Sequence, residues 1–236
     1  MDGPLKKEIK TLRNLLYNKI YINPKLKEDI VTRFHKLYHD SHMFGGTWSN
    51  TFWMGVPISK CPMDLWIYQE IIFKLKPDVI IECGTAEGGS ALFLASMCDL
   101  VNHGKVISID IKAVKNRPTH KRIKYLLGSS TSQEIAEKVK DLIKTDEKIM
   151  VILDSDHTKQ HVLNELNIYN KIVTKGSYLI VEDTNINNPV KIKDFDSSPM
   201  EAVEEFLKEN KDYVIDKEKE KFYMTFNPNG YLKKIR

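Results

Sequence analysis

The sequence predicts an open α/β fold: a mostly parallel seven-stranded sheet with an antiparallel C-terminal hairpin, preceded by N-terminal helices. Three observations carry this. Five short β-branched runs alternate with helical patterns, as parallel strands joined by crossover helices do. The first run closes on Cys83-Gly84-Thr85 and leads into a small-residue helix, a junction that turns backbone N–H groups toward a ligand. Two further strand patterns end the chain with no helix between them, so they form an antiparallel edge.

In chain order, residues 5–39 read as two helices parted at Asn23-Pro24, because proline suits a helix start. Ile9, Leu12, Leu16 and Ile20 form one apolar stripe, and Ile30, Phe34 and Leu37 another, so these are packing or oligomer helices and a homo-oligomer is expected. Residues 40–60 have no period and are rich in glycine and aromatics. Either Trp48 and Trp53 stack on a substrate ring, or they plug the seam between the N-terminal helices and the sheet. Residues 1–60 are thus a helical extension with an aromatic loop, and residues 61–236 the main domain.

Pro62 opens a helix to Leu75, with Leu65, Tyr68, Gln69 and Ile72 inward. Strand one then ends at Glu82-Cys83, a helix runs from Gly89 to Leu100, and strand two is Lys105–Asp110. Strand three, Ile123–Leu127, ends at Gly128-Ser129-Ser130; Thr131 and Glu134 have capping-box spacing for the next helix. Strand four is Ile149–Leu153, followed by a helix from Lys159 to Val173 that Gly176 terminates. Strand five is Ser177–Val181, and a loop spans 184–198. Ser198-Pro199-Met200-Glu201 starts the last helix, and Tyr213–Ile215 with Lys221–Phe226 forms the predicted hairpin.

Composition narrows the function. The net charge is +4, from 36 basic and 32 acidic residues that are interspersed, so no nucleic-acid stripe exists and the Lys233-Lys234-Ile235-Arg236 end reads as a solvated tail. Three cysteines, Cys61, Cys83 and Cys98, lack zinc spacing, and no run is apolar enough for a signal core or a membrane span. A soluble cytoplasmic protein is expected.

Ligands of open parallel sheets sit at the carboxyl ends of the strands. Those ends read Glu82, Asp110, Asp154 with Asp156, and Glu182 with Asp183. The turn Gly84-Thr85-Ala86-Glu87-Gly88-Gly89 lacks the second glycine of a dinucleotide fingerprint and adds an acid. A carboxylate there repels pyrophosphate but suits an ammonium and a sulfonium, the charges of S-adenosylmethionine. Asp110, 26 positions beyond Gly84, is placed to accept from a ribose diol. Strands four and five should be neighbours, so Asp154, Asp156, Glu182 and Asp183 converge as oxygen ligands for Mg2+, or Mn2+ or Ca2+. His157 follows as a base for a metal-acidified hydroxyl.

Several runs resemble the cephalosporin hydroxylase family over residues 45–236: Trp53-Met54-Gly55-Val56-Pro57, Asp64-Leu65-Trp66-Ile67-Tyr68-Gln69-Glu70, Ile81–Thr85 with Gly88–Ala91, Leu153–His157, Val181–Thr184 and Thr225–Gly230. The resemblance implies a Rossmann-like class I methyltransferase, an S-adenosylmethionine- and magnesium-dependent O-methyltransferase related to macrolide-sugar and rhamnosyl enzymes. Carried over by position, Glu82, Gly84, Gly88, Ser90 and Asp110 hold the cofactor, with Thr85, Gly89, Ser129, Ser130 and Asp154 completing its surroundings. Glu182 and Asp183 bind metal; the third ligand is Asp154 by likeness to the sugar and catechol enzymes, or Asp156 by the closer family pattern. His157 takes the place of the catalytic base beside Asp154.

The expected reaction is methyl transfer to a hydroxyl of a sugar, glycan or glycosylated natural product, as in polysaccharide biosynthesis. Two other readings stand beside it: a silent cofactor-binding subunit that serves a partner enzyme, and a nicotinamide-dependent oxidoreductase, which the glycine spacing disfavours. An iron oxygenase fits less well, because no His-x-Asp or His-x-Glu occurs.

Overall fold

A computed structural model describes residues 8–15, 23–187, 189–190 and 197–236. Residues 8–15 are helical (α1) and exposed; Leu16 and Ile20 of the first predicted stripe, and much of the loop within 184–198, lie outside the described residues. α2 spans Pro24–Asp40, with Asn23 accepting from the Lys25 N–H as its cap. Its Leu26, Ile30, Phe34 and Leu37 are exposed, while His35 and His39 are buried.

The main sheet has seven strands in the order β5-β4-β3-β6-β7-β9-β8. β3 (Val79–Cys83), β4 (Lys105–Asp110), β5 (Ile123–Leu127), β6 (Ile149–Leu153) and β7 (Tyr178–Val181) are all parallel. β3 and β6 are buried along their whole length, which is why they read as unbroken apolar runs. One face carries α3 (Pro62–Leu75) and α4 (Gly89–Leu100) over Ile80, Met150, Ile152 and Ile180. The other carries α5 (Gln133–Asp141), α6 (Lys159–Tyr169) and α7 (Pro199–Glu209) over Ile81, Val151, Leu179 and Leu232. All three cysteines are buried and free.

Three local readings change. The predicted hairpin partner, Lys221–Phe226, is not a strand: β8 (Tyr213–Ile215) pairs with β9 (Tyr231–Lys234), which lies between β7 and β8. The reason is Asp64 on α3. Its buried carboxylate accepts from the Thr225 hydroxyl, the Phe226 N–H (2.8 Å) and the Tyr231 hydroxyl (2.8 Å), drawing that stretch off the sheet edge. The α5 cap is Ser132 rather than Thr131, its hydroxyl accepting from the Ile135 N–H. Within the aromatic loop, Phe52–Trp53 (β1) and Val56–Pro57 (β2) form a small hairpin around Met54 and Gly55, both at positive φ.

Candidate active site

Parallel register sets Cys83 level with Ile109 and Leu153, and single further backbone bonds extend the ladder to Gly84, Asp154 and Glu182. The strand-end residues therefore share one edge. Gly84 (φ +98°) passes so close to β6 that a Cβ there would lie 1.8 Å from the Asp154 carbonyl oxygen. Gly89 is as tight, with its Cβ position 2.1 Å from the Pro57 carbonyl oxygen, so β2 can rest on the start of α4.

Asp110 fastens the turn. Its Oδ2 accepts from Thr85 N (3.2 Å), Ala86 N (2.8 Å) and Arg117 Nη2 (3.0 Å), and Oδ1 accepts from Lys112 N (2.8 Å). Glu82 lies beneath the turn, buried, accepting from Ser108 Oγ at 2.5 Å and from Ser90. Burial pushes its carboxyl up to about 7, against the opposing field of Lys60 and the two serine hydroxyls. Thr85 Oγ1 completes this layer at 2.6 Å from Ser108.

Above the turn is a cavity of about 670 Å3, lined among others by Gly84, Asp110, Ser129, Ser130, Asp154 and Asp156. That size suits one small organic ligand. Ser130 donates to the buried Glu165, while Ser129 Oγ sits 3.0 Å from Thr131. Glu82, Thr85, Gly88, Gly89 and Ser90 are buried and do not line the cavity.

Beside this cavity, Asp154, His157 and Asp183 bring one ligand atom each to within 4.8 Å of one another, the single such group among the described residues. His157 Nε2 is 3.2 Å from Asp183 Oδ2. Burial works against a charge on His157, but Asp183 and Asp154 outweigh it and raise its pKa. Asp156 stands apart, exposed, with Oδ1 accepting the Thr158 N–H (2.8 Å) ahead of α6. Glu182 is buried: Tyr68 donates to Oε1 (2.8 Å) and the Lys60 ammonium meets Oε2 (2.6 Å). The same ammonium also binds Asp154 Oδ2. Burial raises both carboxyls and Lys60 opposes it; for Lys60 itself, burial is overcome by Asp154, Glu182 and Glu82, which raise its pKa. Hard oxygen donors at a shared edge are what a magnesium-like cation takes.

Comparison with known proteins decides the family. The family model described as Rhamnosyl O-methyltransferase/CmcI matches residues 46–235. A rhamnosyl O-methyltransferase of Mycobacterium leprae is 37% identical over 211 residues, covering 87% of this chain and 90% of its own. The chain belongs to this family. One from Mycobacterium tuberculosis is 36% identical over 210 residues, covering 86% and 84%. Among solved structures, CmcI with magnesium and S-adenosylmethionine superposes with a TM-score of 0.64 at 18% identity over 81% and 79% of the two chains. A Bacillus cereus O-methyltransferase with S-adenosylhomocysteine does so at 0.50 and 12%, over 85% and 86%. Both share the fold: the Rossmann-like α/β sheet of methyltransferases.

In this Rhamnosyl O-methyltransferase/CmcI chain both loop tryptophans have aromatic and hydrogen-bond partners within the protein. Trp48 donates to the His39 carbonyl (3.0 Å) and lies against His39, His42 and Phe226. Trp53 donates to Ser96 Oγ (3.1 Å) and meets Phe93 edge-on at 4.9 Å. Trp48 thus lies between the end of α2 and Phe226, while Trp53 lies on α4.

Three site residues escaped sequence reasoning. Lys60 carries no local signal, being one of many lysines. Tyr68 and Asn227 lie inside quoted family runs, yet their meeting, Asn227 Nδ2 to Tyr68 OH at 3.0 Å, joins positions 159 apart. Their place inside runs that carry the family resemblance was the available hint.

Proposed function

We propose that this chain is an S-adenosylmethionine-dependent, divalent-metal-assisted O-methyltransferase acting on a hydroxyl of a sugar or glycosylated molecule, with rhamnosyl acceptors first to test. The observation that carries this is Asp154, which both lines the 670 Å3 cavity and belongs to the Asp154–His157–Asp183 group. A donor pocket and an acid–imidazole cluster thus share a wall. The relatives named for rhamnosyl O-methylation support the acceptor class.

The glycine turn, Asp110 and Ser129 would hold the cofactor, whose sulfonium supplies an electrophilic methyl. Asp154 and Asp183, with Glu182 beside them, would hold a divalent cation, which acidifies a hydroxyl that it touches. The chain's own task is placement and proton transfer. His157, whose Nε2 lies 3.2 Å from Asp183 Oδ2 beside the would-be cation site, accepts the hydroxyl proton. The turn and the strand ends keep donor and acceptor sites adjacent, which contributes through orientation. No described helix is long and apolar enough to cross a membrane, and the exposed Leu26, Ile30, Phe34 and Leu37 of α2 support a homo-oligomer.

The test is S-adenosylhomocysteine release from S-adenosylmethionine with Mg2+ and a panel of rhamnosyl glycosides. Turnover that chelator abolishes and Mg2+ restores is expected. Full activity in excess chelator would sink the metal role, and no saturable cofactor binding by calorimetry would sink the whole reading.

A further inference from the structure

Lys60 reaches the acidic strand ends from the step between β2 and α3, where Ser59 adopts a left-handed φ of +49°. Its side chain is 5% exposed, and its ammonium meets Glu182 Oε2 at 2.6 Å and Asp154 Oδ2. Two carboxylates on neighbouring strands would otherwise face each other in a poorly solvated wall, an arrangement that is costly without a cation. Tyr68 already fills Glu182 Oε1, so the ammonium takes the oxygen that is left.

We infer that Lys60 is the resident counter-ion of this site: a positioning residue that pins Asp154 to Glu182 in the metal-free protein and competes with a divalent cation for them. This rests on the reading above of these acids as metal-binding. A fixed positive charge a few ångströms from an incoming dication weakens its binding, because the repulsion is scarcely screened in a buried wall. Removing the charge therefore tightens metal binding while loosening the metal-free fold. A merely structural lysine would give the second effect without the first.

The test uses the full chain carrying Lys60→Met or Lys60→Arg, without cofactor or acceptor. Free Mn2+ is counted by electron paramagnetic resonance, and melting is followed with and without Mn2+. Lys60→Met is expected to melt lower than wild type without metal, to bind Mn2+ about tenfold tighter or more, and to gain more in melting temperature from Mn2+. Lys60→Arg, which keeps the charge, should stay within about threefold of wild type. Wild-type or weaker Mn2+ affinity in a folded Lys60→Met protein overturns the inference while leaving the metal reading intact. So does a Lys60→Met protein that stays unfolded even in millimolar Mn2+, since the cation then fails to replace the ammonium. If neither wild type nor Lys60→Met takes up Mn2+, the metal reading falls, and the inference with it.

Discussion

The side-chain oxygen of Asn227 accepts the backbone N–H of Asp183 at 3.1 Å, and this bond holds Asp183 in a left-handed conformation, φ +54°. Few non-glycine residues adopt that region without a partner. Asn227 is fully buried, and its amide nitrogen donates to Tyr68, which in turn donates to Glu182. One amide therefore sets the posture of both acids at the end of β7.

Asn227→Ala should accordingly disturb both. It leaves the half-buried Asp183 N–H without its acceptor and takes one of two partners from the buried Tyr68 hydroxyl, which costs about 1 to 3 kcal/mol at typical values. Chemical denaturation should show that loss, and calorimetry should show Mn2+ binding weakened at least about tenfold as Asp183 relaxes. Unchanged metal affinity in a destabilised protein would mean that Asn227 supports only the fold.

Gly84→Ala tests the turn. Its φ of +98° and the Asp154 carbonyl oxygen 1.8 Å from the new Cβ leave no room, so β3 and β6 must part at their ends. The expected outcome is loss of S-adenosylmethionine binding by calorimetry, with the far-UV spectrum retained because the strand cores remain buried. Wild-type affinity would show that this turn does not border the cofactor.

How far the sequence foretold all this depends on the range of the interactions. The parallel strands were legible because burial on both faces writes itself as local β-branched runs, and β4, β5 and β6 have the predicted bounds. The acids at the strand ends were legible for the same reason: a strand that stops on Asp154 or Glu182 delivers it to the edge. What was hidden is the partner of each acid. Asp156 looks equivalent to Asp154 in sequence, but its short side chain turns back to the Thr158 N–H. Lys60 meets Asp154 across 94 positions, and Asp64 captures Thr225 across 161, with no period to announce either. The missed β9 follows from that capture: both 221–226 and 231–234 look like strands, and the buried acid on α3 selects between them.

Asp64 also predicts a pH dependence. Burial raises its carboxyl to about 7, the donors Thr225, Phe226 and Tyr231 opposing without prevailing. A folded pKa above the unfolded value means that the native state binds more protons between roughly pH 4 and 7, so stability falls as pH rises through that window. The buried Glu82, also raised to about 7, acts in the same direction. Asp64→Asn removes one of these titrations, and its amide can still serve the site: the oxygen faces the Phe226 N–H and the amino group faces the two hydroxyls. The variant should therefore gain on wild type between pH 5 and pH 8, by at most about 4 kcal/mol for a shift of this size. Urea denaturation at both pH values reads this directly; parallel profiles would place the Asp64 pKa near its ordinary value.

In the proposed reaction His157 takes the acceptor proton. Its Nε2 faces Asp183 at 3.2 Å, and it stands within 4.8 Å of Asp154, at the edge where the proposed acceptor hydroxyl would lie. His157→Gln keeps a polar side chain of similar reach but no group that ionises near neutrality. Cofactor binding should be unchanged, because His157 does not line the cavity. Turnover should drop about 10²- to 10⁴-fold, the usual contribution of a placed base. The loss should shrink as pH rises, because hydroxide and an increasingly ionised acceptor do part of the work that the imidazole did. Equal loss at every pH would instead make His157 a holder of Asp183, with the proton leaving by another path.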